Sequence, residues 1–331
     1  MGCIGDQYAG ENLPLDIYIM FDQSCSMSCD PERTGAGLCC NGQTMPVDPR
    51  PRIDQVRNAV TQFLNDPASQ GIGVGIGYFG YMTPGQTSCD PSAYATPAVP
   101  IAPLPGNAQA VINSLNQAVP TGETPTGAAI RGACTYSVGW HTQNPSHITV
   151  VLLVTDGFPE APLSSQRGGC SPSIQDADQA AAACVQNHID VFVLGVGQQL
   201  TNLNEIAAAG GTKQAYVVGG TDVTSQVLQA LNTIRATAQI PCALKIPPPP
   251  AGQQIQYDKI NITYCNGSQQ TIVFLNVTSS AQCDPTNGGW YYDNPSAPTQ
   301  IQLCPTSCNT VSAPGGTLTA SVGCTTRTPI H

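Results

Sequence analysis

Up to about residue 240 the chain alternates short apolar runs with segments of helical periodicity, and this alternation narrows the possible folds more than any other feature. Asp16-Ile-Tyr-Ile-Met-Phe21 reads as a strand buried on both faces, and after it Ile53, Val56, Val60, Phe63 and Leu64 recur at helical spacing. In Gly71-Ile-Gly-Val-Gly-Ile-Gly-Tyr-Phe79 glycine falls at every second residue. Period two puts Gly71, Gly73, Gly75 and Gly77 on one face of a strand, open to close approach by a helix, with Ile72, Val74, Ile76 and Tyr78 on the other. These glycines lie within a strand, not between strand and helix, so they read as structural and not as a dinucleotide fingerprint. A proline-limited edge strand near Tyr94–Ile101 follows, then helices at Ala108–Val119 and Thr126–Thr142 and the most apolar strand, His147–Thr155. Helix Gln175–His188, strand Val191–Gly197, helix Leu203–Ala209, strand Gln214–Val218 and helix Asp222–Ala238 complete the series. Elements of these lengths in this order predict an α/β fold, a mostly parallel sheet with helices on both faces.

The pattern breaks at Pro247-Pro-Pro-Pro250, a stiff extended segment. Beyond it the reading is all-β, with strands at Lys259–Cys265, Gln270–Thr278, Gly289–Tyr292, Thr299–Leu303 and Thr317–Val322 between Asn, Gly and Pro turns. The organisation expected is an N-terminal segment 1–13, an α/β domain 14–240, a Pro-rich linker 241–252 and a small cysteine-containing β-sandwich-like domain 253–331. Fifteen cysteines are scattered along the chain, without the CxxC pairs of a zinc ribbon. Scattered cysteines beside few lysines favour disulfides and an extracellular or surface location. The odd count leaves at least one cysteine unpaired, modified or bonded elsewhere. A net charge of −10 and a pI near 4.6 disfavour nucleic acid as a partner, since phosphate neutralisation needs clustered Lys and Arg. No apolar run approaches membrane-spanning length.

Three separated segments carry chemistry. Asp22-Gln23-Ser24-Cys25-Ser26 ends the first apolar strand, Gly122-Glu123-Thr124-Pro125-Thr126-Gly127 forms a loop, and Val154-Thr155-Asp156-Gly157 ends the most apolar strand. In open parallel sheets ligands bind beyond the carboxyl ends of the strands, and Asp22 and Asp156 both belong to that edge. Alternate residues leaving a strand point the same way, so Asp22, Ser24 and Ser26 can converge, with Thr124 and Asp156 arriving from adjacent loops. Such hard oxygen ligands suit Mg2+, with Mn2+ or Ca2+ as alternatives, and do not suit zinc or copper. Neutral hydroxyls leave a divalent ion only partly compensated and able to accept an incoming carboxylate. Taken singly, each segment also reads as an ordinary turn or cap; the three in order make the site.

These motifs resemble the von Willebrand factor A (VWA) family with its metal-ion-dependent adhesion site (MIDAS). Asp22-Gln-Ser24-Cys-Ser26 matches the DxSxS element, Thr124 the loop threonine before proline, and Asp156 the second aspartate; the resemblance spans roughly Leu15 to Gln239. It implies a Rossmann-like fold with one antiparallel edge strand and a partner protein bound through a metal-bridged carboxylate. It further implies that Ser24, Ser26 and Thr124 touch the metal while the aspartates often act through water, with Thr126 the alternative threonine. The cysteine-rich β tail is similar to that of secreted or surface-attached bacterial members.

Two departures stand out. Cys25 occupies a position where small residues are usual, consistent with either a loop-stiffening disulfide or simple burial. Residues Ser28 to Arg52 form an insertion with Cys29, Cys39, Cys40, Asp30, Glu32 and Asp48, either a specificity loop beside the metal or a tolerated surface insertion. Loops Met82–Ser92 and Phe158–Ser173 should reach the same edge. No enzyme motif emerges: the four histidines lack metal-ligand spacing, Gly-x-Ser-x-Gly is absent, and the cluster has no tuned general base. The expectation is therefore a non-enzymatic adhesion or protein-interaction module, with an assembly or scaffold protein holding a structural metal as the alternative. A further alternative is glycan binding by the β domain, where Trp290-Tyr291-Tyr292 would act as an aromatic platform if it is not core. Sequons at Asn261, Asn266 and Asn276 read as accidental, and Met1-Gly2-Cys3 leaves a lipid anchor at Cys3 open, with no export signal before it.

Overall fold

The computed structural model describes residues 6–9, 14–32, 50–80, 89–157, 159, 173–197, 200–238, 243–246, 256–266, 268–311, 316–323 and 325–328. Cys3, Cys39, Cys40, Cys242, the tetraproline and most of the insertion and of the loops at 82–92 and 158–173 lie outside these residues. In chain order come β1 (Asp6–Ala9), β2 (Leu15–Asp22), α1 (Arg52–Asn65), β3 (Gly73–Phe79), β4 (Val99–Pro103), α2 (Ala108–Gln117), α3 (Thr126–Gln143) and β5 (Ile148–Thr155). They are followed by α4 (Ile174–Val185), β6 (Asp190–Val196), α5 (Leu203–Ala209), β7 (Tyr216–Val218), α6 (Val223–Ala238) and β8 (Ala243–Lys245). Last are β9 (Ile260–Cys265), β10 (Thr271–Phe274), β11 (Trp290–Tyr292), β12 (Gln300–Leu303), α7 (Pro305–Val311) and β13 (Thr317–Val322). The chain divides into two units, Pro14–Ile234 and the remainder.

The first unit holds a sheet of order β4-β3-β2-β5-β6-β7, parallel throughout except for the antiparallel edge pair β3/β4. All eight residues of β2 are buried, as a continuous apolar run flanked by strands on both sides and helices on both faces requires. Phe21 of β2 stands opposite Val154 of β5, so the two chains leave the sheet side by side at its C-terminal edge. The alternating glycines of β3 serve close packing, though not against a helix. A Cβ on Gly75 would lie 2.7 Å from the Ile101 nitrogen, where β4 bulges and that N–H turns to the Tyr136 hydroxyl at 2.9 Å. On α3, Gly127, Ala128, Ala129, Gly132 and Ala133 are buried, and the Cys134–Cys184 disulfide ties this helix to α4. Closing a 50-residue loop stabilises the fold by about 4 kcal/mol in the chain-entropy account.

The second unit contains the sheets β1-β13-β9-β10 and β11-β12-β8, which contribute to one core of Leu244, Ile260, Ile262, Tyr264, Phe274, Trp290, Ile301 and their neighbours. Residues 6–9, read from the sequence as a separate leading segment, pair antiparallel with β13 from Asp6↔Val322 to Ala9↔Thr319. Within the stretch read as a linker, β8 pairs with β12. Cys283 bonds Cys304, Cys308 is also disulfide-bonded, and Cys265 carries a free thiol. Of the two readings of Trp290, core residue or aromatic platform, the structure shows the core. Trp290 is wholly buried, its ring edge-on to Tyr292 with centroids 5.1 Å apart, and offers no face to a sugar. Among the described residues no helix is long and apolar enough to cross a membrane.

Candidate metal centre

Asp22 closes β2 and Asp156 follows β5, so the parallel pairing of those strands sets their carboxylates close together. Asp22 is completely buried and Asp156 nearly so. The first turn beyond β2 folds back on Asp22: the Ser24 amide donates to its Oδ1 at 2.7 Å, and the Thr155 hydroxyl donates to its Oδ2 at 2.6 Å. A short 3-10 turn, Cys25–Ser28, then brings the Ser26 hydroxyl within 3.1 Å of the Ser24 hydroxyl. Ser26 Oγ donates to Asp156 Oδ1 at 2.7 Å. Four of the five expected residues thus form one hydrogen-bonded cluster.

The fifth arrives through the backbone. The Thr121 amide donates to the Gln23 carbonyl at 2.7 Å, and the Cys25 amide donates to the Gly122 carbonyl at 3.0 Å, which stitches the threonine loop to the serine loop. Thr124 is buried just ahead of α3. Its carbonyl accepts from the Thr126 amide at 2.8 Å and the Thr126 hydroxyl at 3.3 Å. Thr126 therefore spends its hydroxyl on backbone, while among the described residues the Thr124 hydroxyl makes no hydrogen bond.

Three residues were not read from the sequence as part of this centre. Thr155 positions Asp22, as given above. Gly80 lies where the loops meet: at φ +85°, its Cβ would stand 2.6 Å from the Ser24 nitrogen and 2.9 Å from the Glu123 carbonyl oxygen. Arg52, the first residue of α1, reaches back to place Nη1 2.6 Å from Asp156 Oδ2 and 3.4 Å from the Ser26 carbonyl oxygen. A glycine after a strand and an arginine opening a helix are ordinary in sequence, and neither carries a signal. Cys25 and Cys29, which flank the turn, are both disulfide-bonded. In the described part of the insertion Arg50 pairs with Asp30 and Glu32 on the surface, contacts of small energetic weight.

Burial, then the adjacent Asp156 carboxylate, pushes the Asp22 carboxyl up to about 7, against the pull of its hydrogen bonds from Thr155 and Ser24. Burial raises Asp156 as well, with Arg52 opposing. Two buried carboxylates thus face one arginine and three neutral hydroxyls, an all-oxygen donor set that is short of positive charge and of the kind hard cations take. Among the described residues, no group of three or more His, Cys, Asp or Glu is placed to hold a metal. His147 instead pairs with Asp16 at 2.8 Å at the far end of β2, where the Trp140 indole also donates to Asp16 at 2.6 Å.

A family model for the von Willebrand factor type A domain matches residues 16–233, the span of this sheet and its helices. The chain belongs to the VWA family. Among curated proteins no sequence match was found. Solved structures similar to it include an alanine mutant of the PilB minor pilin from Streptococcus sanguinis, at 14% identity and TM-score 0.47, covering 69% of this chain and 62% of that one. The pilus adhesin SpaC from Lactobacillus rhamnosus GG follows at 13% identity and TM-score 0.44, covering 95% of this chain and 40% of that one. The SpRpn10 VWA domain matches at 14% identity and TM-score 0.42, covering 66% of this chain and 95% of that one. The chain thus spans less than two thirds of the two pilus proteins. At these identities and scores the similarities carry no argument, and the VWA assignment stands on the family match and the sheet topology.

Proposed function

We propose that this is a secreted or cell-surface protein whose VWA domain binds a macromolecular partner, through a partner carboxylate, at a divalent cation held by Asp22, Ser24, Ser26, Thr124 and Asp156. The hydrogen-bonded cluster of Asp22, Ser24, Ser26 and Asp156 at one sheet edge, with the Thr124 loop stitched to it through backbone and Arg52 beside the two buried carboxylates, carries the reading. In it Ser24, Ser26 and Thr124 present hydroxyl oxygens to the ion, Mg2+ ahead of Mn2+ or Ca2+, while Asp22 and Asp156 supply charge and hold the serines in place. A bound divalent ion supplies an electrophilic position that a carboxylate can fill. The role proposed is binding: Asp22, the carboxyl raised toward neutrality, is fully buried and already accepts hydrogen bonds from Ser24 and Thr155, which places it to support the serine loop. The Cys134–Cys184 and Cys283–Cys304 disulfides support an oxidising, extracellular setting.

The test immobilises the protein and scores capture of a panel of purified extracellular proteins in Mg2+, in EDTA and with Asp22→Ala. The expected result is at least one protein captured in Mg2+ and lost under both other conditions. Capture indifferent to EDTA and to Asp22→Ala would place binding elsewhere on the molecule.

A further inference from the structure

Arg52 has no place in the ligand pattern, yet it is built into the centre more fully than a surface arginine requires. Its backbone amide donates to the Cys29 carbonyl at 2.8 Å, which fixes the start of α1 against the turn that carries Ser26. The side chain is only 9% exposed and meets an Asp156 side chain that is 0% exposed. Gly197, just past the end of β6, lies beside the guanidinium, where a Cβ would stand in ordinary van der Waals contact 3.6 Å from Arg52 Cζ and Nη2. Both oxygens of Asp156 are engaged before any ion arrives, Oδ1 by the Ser26 hydroxyl and Oδ2 by Arg52.

From this arrangement we infer that Arg52 is a resident counter-cation that competes with the divalent ion for Asp156 and leaves the loaded centre with excess positive charge for a carboxylate to meet. The inference rests on the metal reading above and deepens it. With Asp22 and Asp156 both ionised, as they are once an ion is bound, these two carboxylates and Arg52 sum to one net negative charge, and a divalent ion turns this to one net positive. Without Arg52 the corresponding charges are two negative and zero. The arginine thus weakens the hold on the metal and strengthens the hold on an anionic partner. Close unit charges in a partly buried site are worth at least about tenfold in affinity. Arg52 is a positioning and tuning residue, not a ligand.

The experiment titrates Mn2+ alone into chelator-stripped full-length protein, then acetate into the Mn2+-loaded protein, for wild type, Arg52→Gln, Arg52→Lys and Asp22→Ala. Arg52→Gln is expected to bind Mn2+ about tenfold more tightly and acetate about tenfold more weakly, with Arg52→Lys within about threefold of wild type on both counts. A purely structural arginine predicts the reverse for the metal, with affinity falling in both arginine variants. Saturable wild-type binding that Arg52→Gln leaves equal or weaker overturns the inference while the metal centre stands. Binding by Arg52→Gln alone overturns it, because a wild-type centre that excludes the ion has no loaded state for a carboxylate to meet. Binding by neither defeats the metal reading and this inference together.

Should Arg52→Gln fail to fold because Asp156 is left buried and unpaired, the double variant Arg52→Gln/Asp156→Asn carries the test. It restores the wild-type charge sum, so it should recover most of the Mn2+ affinity lost in Asp156→Asn alone. Failure to recover it overturns the inference.

Discussion

Trp290→Ala is expected to unfold the C-terminal β unit. Trp290 is fully buried in the core of that unit. Its amide donates to the Leu275 carbonyl at 2.9 Å, and its carbonyl accepts from the Val277 amide at 2.8 Å, so the residue is anchored on both sides. Truncating an aromatic at such a site costs about 3–5 kcal/mol, much of what a unit of this size has in total. The chain has two tryptophans, Trp140 in the VWA unit and Trp290, so the variant keeps Trp140 as a fluorescent reporter. Denaturant titration followed by circular dichroism should show the β-unit transition lost or moved to much lower denaturant, with the Trp140 transition retained. An unchanged profile would contradict the burial of Trp290. The same reasoning alters what this variant says about polysaccharides: a loss of retention would record unfolding, not a missing stacking contact.

Metal-free protein is expected to be more stable at pH 5 than at pH 8. The Asp22 carboxyl is raised from its ordinary 3.8 to about 7 in the folded state, first by burial and then by Asp156. The folded state therefore holds a proton that the unfolded chain gives up in this range. The contribution is fully present below about pH 4 and lost as pH rises through about 7. Asp156 is raised too, so it acts in the same direction. A shift of this size corresponds to a difference on the order of 3 kcal/mol, read as a melting temperature several degrees higher at pH 5 with chelator present. Asp22→Asn should flatten the difference, and saturating Mg2+ should reverse it, because the ion stabilises the ionised carboxylates. Chelator-treated wild type melting higher at pH 8 than at pH 5 would contradict this electrostatic description.

The sheet was legible because a strand covered on both faces has to be a continuous apolar run, and Asp22 and Asp156 mark where two such runs stop. Their shared edge follows from parallel pairing, which places strand ends together. Helix α5 was legible to the residue, since Leu203, Ile206 and Ala207 form one buried stripe. What escaped depends on contacts distant in sequence. β1 and β8 are four and three residues long, and their strand conformation comes from partners in β13 and β12. α7 is built from Pro, Thr, Ser, Cys, Asn and Val, few of which favour helix, so tertiary context outweighs local preference there. The glycines of β3 were rightly read as packing residues, but the partner at Gly75 is the bulged edge strand at Ile101. Arg52 was invisible because nothing in a sequence separates an arginine that folds back onto a buried aspartate from one that reaches into solvent.

Calorimetric titration of Mg2+ and Mn2+ into chelator-stripped wild type, beside Asp22→Ala, addresses the central claim most directly. The account predicts saturable one-site binding in the wild type, abolished in Asp22→Ala, with the far-ultraviolet circular dichroism of the two proteins alike. Binding of equal affinity in both would contradict the assignment of the ion to Asp22, Ser24, Ser26, Thr124 and Asp156.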